Sequence, residues 1–158
     1  MMSDPSRYMR KTITLAIENV RESGGGPFAC MIVQGEEIIA TGVNQVTTHN
    51  DPTAHAEVIA IREACRARND FQLKGMDLYT SCEPCPMCLG AIYWARLDRI
   101  FYAASRYDAT ECGFDDELIY REISKPPDAR RIITNQLLQD EARDIFKIWL
   151  ENPDRILY

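Results

Sequence analysis

The sequence lacks the segments that would indicate export or insertion into a membrane. Its start, MMSDPSRYMRKTIT, has no apolar run before its charged residues and does not predict a signal peptide. No apolar stretch in the 158 residues approaches the roughly 20 needed to cross a bilayer. We therefore expect a cytoplasmic protein with no membrane partner, whose six cysteines are thiols or metal ligands rather than disulfides.

An excess of basic residues is also missing. The 18 Lys and Arg are outnumbered by 24 Asp and Glu, which gives a net charge of −6. Proteins that bind nucleic acids tightly usually present a basic face to the phosphates. The small basic clusters of this chain, at 62–68 and 130–131, are interleaved with acids or lie near prolines. The composition therefore predicts no nucleic-acid partner.

No repeat, low-complexity tract or Pro/Gly-rich linker divides the chain, so residues 1–158 are predicted to form a single domain. Hydrophobic periodicity and turn residues predict helices at 4–22, 54–68, 86–97 and about 137–151, and strands at 28–34, 37–43, 76–81 and 99–104. A polar loop is expected at 44–53. Strands that alternate with helices predict an α/β protein of three layers, α/β/α, with a mixed sheet and helices on both faces.

Three evenly spaced cysteines stand out in the stretch SCEPCPMCLG, namely Cys82, Cys85 and Cys88. A ferredoxin-type iron–sulfur run would continue with a fourth cysteine and a proline, but Ile92 stands at that position. Zinc suits the segment better. Cys85 follows Pro84 at a predicted helix start and Cys88 lies one turn further, so both sulfurs can reach one ion. The positive end of the helix dipole also favours thiolates there.

The stretch TAHAEV supplies the other half of a zinc site. His55 and Glu57 lie at the start of the next predicted helix upstream, where a lone histidine or acid would be unremarkable. Together with Pro84, Cys85 and Cys88 they complete the pattern H-x-E…P-C-x-x-C. That pattern is typical of zinc-dependent base deaminases.

The chemistry of base deamination requires these residue types. One imidazole and two thiolates hold Zn²⁺ and leave its fourth tetrahedral position to a water, whose pKa the metal lowers. A carboxylate that is not a ligand must pass the proton of that water to the departing amine, which is the role predicted for Glu57. If Cys82 were a fourth ligand, the site would be closed and structural. A zinc-stabilised binding module without activity would likewise leave Glu57 as an ordinary first-turn acid.

Almost the whole chain resembles the cytidine-deaminase-like superfamily and, within it, the bacterial guanine deaminase branch. The matching blocks are HNDPTAHAEVIAIREA, SCEPCPMCLGAIYWARLDRIFYA and CGFDDELIYREI. The GFDD segment and the C-terminus favour this branch over the similar tRNA-adenosine branch. The resemblance implies hydrolysis of guanine to xanthine and ammonia. The alternatives are deamination of guanosine, of another amino-purine or a triazine, and of tRNA adenosine.

The resemblance also implies a zinc site and a catalytic base. One Zn²⁺ per subunit would be bound by His55, Cys85 and Cys88, and Glu57 would carry protons. Cys82 is expected to pack at the end of its strand. Trp94 follows Cys88 by about one and a half helical turns, where it would line the pocket or pack in the core, and packing in the core is the expectation.

Four further residues are implied to lie near a small-molecule purine base. Asn44 would hold the edge of the base and Phe28 would lie against its ring, although by position alone they would be a turn asparagine and a core aromatic. Asp115 and Asp116 could simply cap a helix that begins near residue 117. The resemblance offers one of them as a second carboxylate at the substrate, and the motif favours Asp116 as the catalytic one.

The C-terminal stretch ENPDRILY follows the last amphipathic helix and would ordinarily be a frayed tail. The resemblance implies a homodimer in which the segment of about 137–158 is exchanged between subunits. Such an exchange costs little free energy, because an identical element from the other subunit replaces the one given up. Tyr158 would then lie over the base in the partner's pocket.

Overall fold

The computed structural model describes residues 4–158. The strands are β1 (Ala29–Gln34), β2 (Glu37–Val43), β3 (Asp77–Cys82) and β4 (Arg99–Ala104). The helices are α1 (Pro5–Arg21), α2 (Val46–His49), α3 (Ala56–Arg68), α4 (Pro86–Trp94), α5 (Arg106–Glu111), α6 (Glu117–Ile123) and α7 (Gln139–Glu151), and Pro127–Ala129 form a 3₁₀ turn. Within this range no helix is both long and apolar enough to span a membrane.

The predicted strands and long helices are confirmed, with small shifts at their ends. The start of α1 shows why its prediction holds. The carboxylate of Asp4 accepts a hydrogen bond of 2.9 Å from the backbone N–H of Ser6. Pro5 occupies the first helical position, where a missing N–H costs nothing.

Two helices were missed by the sequence analysis. The loop expected at 44–53 contains α2, a single turn of four residues that is too short to show a hydrophobic period. A polar segment after β4 forms α5, which begins with a capping box between Ser105 and Asp108. The S-x-x-D spacing of these two residues is itself a helix-start signal.

The sheet is mixed, as predicted, with the strand order β2-β1-β3-β4. β1 pairs antiparallel with both β2 and β3, whereas β3 and β4 are parallel. Gly35, with a φ of 61°, lies in the tight turn between β1 and β2. The parallel pair needs a crossover, and α4 provides it.

Alternate side chains of β1 pack against different helices. Cys30 and Ile32 belong to a buried cluster that includes residues of α3 and α4. Met31 and Val33 pack with Tyr8 of α1 on the opposite face. Because successive side chains of a strand point to opposite faces, α1 covers one face of the sheet and α3 with α4 covers the other. The predicted three-layer α/β/α architecture is therefore confirmed.

The start of α3 lies very close to β2, at Gly42. A Cβ on this glycine would stand 2.2 Å from the carbonyl oxygen of Ala56 and 2.7 Å from the backbone nitrogen of Ala60. Only a residue without a side chain fits there. The contact holds the N-terminus of α3, with His55 and Glu57, against the sheet.

The described residues separate into two compact units, divided after Asp116. The first contains the sheet and α1 to α5, and the second contains α6, the 3₁₀ turn and α7. Among the described residues, none beyond Ala95 is buried. The single domain with an exchanged C-terminal segment stays a prediction.

Candidate zinc active site

The predicted metal ligands lie at the beginnings of two helices. His55 has an extended backbone and is the N-cap of α3, and Cys85 is likewise the N-cap of α4. Cys88 lies within the first turn of α4 and is almost fully buried. Because the N-terminus of a helix carries a partial positive charge, the two sulfurs stand where thiolates are stabilised.

The distances between these side chains fit one zinc ion. The Nδ1 atom of His55 lies 3.6 Å from Sγ of Cys85 and 3.5 Å from Sγ of Cys88. A nitrogen and a sulfur bound to one zinc at the usual lengths and the tetrahedral angle are about 3.6 Å apart. All three ligand atoms lie within 4.8 Å of one another. The donor set and its spacing are therefore those of a three-ligand zinc site.

Cys82 does not join this group. It is the last residue of β3, is buried, and places its Sγ 3.6 Å from the carbonyl oxygen of Ser105. Burial raises the pKa of its thiol to about 11, so the group stays neutral. The described residues that could share one ion are His55, Cys85 and Cys88, an arrangement with a coordination position left for water.

The three side chains also adjust one another's protonation. Hydrogen bonds from Cys88 and His55 lower the pKa of the Cys85 thiol to about 4. The pKa of Cys88 is raised, because its thiol shares a proton with the Cys85 thiolate and is buried. The hydrogen bond to Cys85 raises the pKa of His55. Without metal the cluster thus already favours one thiolate, the form that binds zinc.

Glu57 lies beside the cluster, in the first turn of α3, and is only 6% exposed. Its Oε1 accepts a hydrogen bond of 3.0 Å from the hydroxyl of Thr80, and its Oε2 lies 3.4 Å from Sγ of Cys88. Burial raises the pKa of this carboxyl, which brings it closer to the range of a group that takes up and returns protons. Glu57 thus lies next to the cluster and outside the group of residues that could share one ion.

Asn44 follows β2 and is held by backbone groups on several sides. Its Oδ1 accepts hydrogen bonds from the N–H groups of Gly26, at 3.2 Å, and Val46, at 3.3 Å. Its backbone oxygen accepts a bond of 3.0 Å from the side chain of Asn19. Because Oδ1 already accepts two hydrogen bonds, the part of this side chain that remains for a ligand is the amide NH2 group at Nδ2, which is a donor.

A glycine loop is packed tightly against Asn44. The side chain of Asn19, near the end of α1, donates to the carbonyl oxygens of both Gly26, at 2.9 Å, and Asn44. Gly25 has a φ of 149°, and a Cβ on it would lie 2.2 Å from the carbonyl oxygen of Asn44. The loop can approach Asn44 this closely only because it lacks side chains.

Phe28 and the acidic pair lie in the same unit as the cluster. The half-buried ring of Phe28 meets Phe114 edge to face, with centroids 4.9 Å apart. Asp115 is exposed and Asp116 is half-buried. Burial raises the pKa of Asp116, Arg106 opposes that rise, and the charge of Cys85 adds to it.

Two aromatic residues lie outside this group. Trp94 is 63% exposed, so the expectation that it packs in the core is wrong in the single chain. Tyr158 belongs to the second unit and is 72% exposed. Its position over the base of a partner's pocket stays a prediction.

Three residues that contact site residues were not predicted from the sequence, namely Thr80, Asn19 and Phe114. Asn19 lies on the buried side of α1, where an amide needs hydrogen-bond partners. The sequence does not indicate this side of the helix, because its apolar residues Ile13 and Ile17 are exposed. Thr80 interrupts an otherwise apolar segment of β3, but its contact with Glu57 joins residues far apart in sequence and has no local signal.

Residues 2–104 match the family described as the cytidine and deoxycytidylate deaminase zinc-binding region. The chain belongs to this zinc-binding deaminase family. It is similar to the guanine deaminase of Bacillus subtilis (strain 168), with 54% identity over 142 residues, which cover 90% of this chain and 91% of that protein. It also matches a tRNA-specific adenosine deaminase of Buchnera aphidicola subsp. Schizaphis graminum at 35% identity over 85% of this chain and 80% of the relative.

Solved structures of family members have the same fold. The X-ray structure of the Bacillus subtilis guanine deaminase aligns with a TM-score of 0.96 and 50% identity, covering 98% of this chain and 99% of that one. A structure of guanine deaminase from Nitrosomonas europaea aligns with a TM-score of 0.68 and 30% identity, over 73% of this deaminase and 67% of the other chain. The first match covers 98% of this chain and so extends into both units, whereas the match to the family ends at residue 104.

Proposed function

We propose that this deaminase converts guanine and water to xanthine and ammonia. The observation that carries the proposal is a His/Cys/Cys cluster with the buried Glu57 beside it, in a chain 54% identical to a guanine deaminase over 90% of its length. In this reaction the bond from C2 of the ring to its amine breaks, and a bond from C2 to the water oxygen forms.

The chain's own residues account for the proton transfers. His55, Cys85 and Cys88 would hold one Zn²⁺ per subunit, which supplies a Lewis acid that activates water at neutral pH. Glu57 takes the proton from that water and gives it to the departing amine. Its buried carboxyl and its raised pKa suit both halves of this transfer. Asp116 is proposed as a second catalytic carboxylate near the base.

Binding of the flat base is assigned to Asn44, Phe28 and Asp115. The Nδ2 amine of Asn44 donates to an acceptor atom on the edge of the purine, since its Oδ1 is engaged by backbone N–H groups. The ring of Phe28 is held edge-on by Phe114 and supports the purine face. Asp115 offers an exposed acceptor to ring N–H groups or the amine.

The substrate is tested by measuring ammonia release from guanine, guanosine, adenine, cytosine, cytidine and ammeline. Selective turnover of guanine is the expected result. Turnover of a nucleoside alone would replace the proposal with guanosine deamination. Since a tRNA-specific relative is 35% identical, a tRNA substrate is included in the same assay, and we expect no inosine in it.

Glu57→Gln separates an enzyme from a zinc-stabilised binding module. The amide cannot take up a proton but fills the same space, so we expect kcat to fall by about 100- to 10,000-fold. Zinc content, measured by metal analysis, should stay unchanged because Glu57 is not among the proposed ligands. Unchanged turnover in this variant would contradict the assignment of Glu57.

We also propose a homodimer in which a C-terminal segment of about 137–158 is exchanged. Support comes from α7, whose polar side carries ion pairs from Asp140 to Arg143 and from Asp144 to Lys147. Its apolar side chains Ile145, Phe146 and Leu150 are 64% to 67% exposed in the single chain. Several large apolar side chains exposed on one side of a helix usually mark an interface. Light scattering after size exclusion should give twice the 18.1 kDa mass of the chain.

A cytoplasmic location is the remaining part of the proposal. None of the six cysteines forms a disulfide, a state that reducing compartments maintain. Cell fractionation followed by immunoblotting tests it, and recovery with the exported fraction would contradict it.

A further inference from the structure

The carboxylate of Glu57 has different partners on its two oxygens. Oε1 faces β3, where the hydroxyl of Thr80 donates to it at 3.0 Å, and Oε2 faces Cys88 at 3.4 Å. Thr80 is 1% exposed and Glu57 is 6% exposed, so water does not replace either contact. The thiol of Cys88 is the donor of the second contact. A cysteine binds zinc as a thiolate, which has no proton to donate, so with Cys88 as a ligand the hydrogen bond from Thr80 to Oε1 remains and Oε2 is left for other work.

The Thr80 hydroxyl is a well-oriented donor. Thr80 lies in β3, inside the sheet, where it is paired with Cys30 of β1 and Tyr102 of β4. Its β-branched side chain has few rotamers. The carbonyl oxygen of Ala29 also lies near the hydroxyl, but at 3.5 Å, which is long for a bond of this type. The one hydroxyl proton therefore goes to Glu57.

We propose that Thr80 is a positioning residue for the proton carrier Glu57. By binding Oε1 it fixes the rotation of the carboxylate and leaves Oε2, the oxygen on the side of the ligand cluster, to take up and return the proton. The inference rests on the proposed function, in which Glu57 moves protons. It assigns a role in the reaction to a residue outside the zinc and substrate contacts.

The first test compares Thr80→Val, Thr80→Ser and the wild type. Valine keeps the β-branched shape and removes the donor, so we expect kcat for guanine to fall by about 10- to 100-fold with KM changed less than about threefold. Serine keeps the hydroxyl and should recover most of the lost kcat. Zinc content and melting temperature are measured on each protein, which shows that the valine variant is folded and loaded.

Thr12→Val is the matched control. Thr12 is fully buried like Thr80, and its hydroxyl donates to the carbonyl oxygen of Tyr8 at 2.9 Å within α1. Loss of this buried hydroxyl should leave kcat and KM unchanged. An equal fall of kcat in Thr12→Val and Thr80→Val would show a general effect of lost hydrogen bonds and would overturn the proposal. Wild-type kcat in Thr80→Val would overturn it too, as would failure of serine to rescue.

The second test does not depend on turnover. Crystal structures of the zinc-loaded wild type and Thr80→Ser should show one orientation of the Glu57 carboxylate, whereas Thr80→Val should show a rotated or divided one. An unchanged carboxylate in Thr80→Val overturns the positioning role. A wild type that releases no ammonia from guanine would instead overturn the proposed function, while the crystal structures would still decide the role of Thr80.

A double variant links the two tests. In Glu57→Gln the side chain that Thr80 orients can no longer take up and return a proton. Adding Thr80→Val to this variant should therefore lower the residual kcat by less than about twofold. A further 10-fold or greater loss in the double variant would mean that Thr80 acts independently of Glu57, and would overturn the proposal.

Discussion

The chain up to Asp116 and the chain from Glu117 onward differ in where their apolar side chains lie. The first unit buries them on both faces of a sheet, in two clusters that include Ile32 and Met31. In the second unit Ile133 is 86% exposed and Leu137 is 80% exposed, and no residue of it is buried. One unit therefore contains its own core, whereas the other presents an amphipathic surface that a single chain leaves uncovered.

The two units also contain different groups of the proposed functional residues. All the proposed zinc ligands and Glu57 lie in the first unit, at helix starts that the packed sheet holds in place. Tyr158 and the apolar residues of the tail lie in the second. We therefore expect loss of a proposed ligand in the first unit to remove zinc, and changes in the second unit to alter turnover and assembly with zinc retained.

The largest effect is expected from Cys88→Ser. A hydroxyl is a much poorer zinc ligand than a thiolate, so zinc content should fall and ammonia release from guanine should drop to the background rate. Metal analysis and the ammonia assay measure the two quantities on the same sample. Cys112→Ser is the control, because Cys112 is an exposed free thiol of the same unit. Full zinc content in Cys88→Ser would remove Cys88 from the ligand set.

A smaller loss is expected when the last three residues, Ile156 to Tyr158, are deleted. If the tail covers a partner's pocket, kcat/KM for guanine should fall by about 10- to 100-fold through poorer positioning of the base. Zinc content and the melting temperature should remain those of the full chain. The result would then show that the tail affects turnover without affecting the zinc site or the stability of the fold. Asp154→Ala leaves the apolar tail in place and should be fully active. Full activity of the truncated protein would contradict the proposed covering role.

The two units also differ in how much the sequence could predict. The alternation of strands and helices predicted the three-layer fold because the long elements of the first unit, such as β1 and α3, have enough apolar residues to form the core. The spacing of His55, Glu57, Cys85 and Cys88 indicated the zinc chemistry because ligands at helix starts form short motifs. In the second unit the pattern predicted α7 but nothing about what covers it, since that depends on another surface.

Within the site, the contacts between segments distant in sequence could not be predicted. The bond from Thr80 to Glu57 crosses from a strand to a helix, and the one from Asn19 to Asn44 crosses from a helix to a loop. Neither has a local pattern, because each depends on how layers pack. The short helix α2 was not predicted for a different reason, since a single turn of four residues shows no hydrophobic period.

Gly42→Ala is expected to affect stability more than chemistry. The added Cβ would lie 2.2 Å from the carbonyl oxygen of Ala56, so β2 and α3 must separate, at a cost of about 3 kcal/mol in the free energy of unfolding. Urea titration followed by circular dichroism measures this change. Gly90→Ala is the control, because a Cβ there meets no atom within 4 Å, and we expect a change of less than about 1 kcal/mol. Equal losses in both variants would contradict the close packing of β2 on α3.

The smallest effect is expected from Cys82→Ser, which tests whether the zinc site is open. The Sγ of Cys82 contacts the carbonyl oxygen of Ser105 at 3.6 Å, and a serine hydroxyl can donate to the same oxygen. Stability should therefore change by less than about 1 kcal/mol, and zinc content and kcat should stay within about twofold of the wild type. Loss of zinc from a folded Cys82→Ser protein would make Cys82 a fourth ligand. The site would then be closed to water, and a structural zinc would replace the catalytic one.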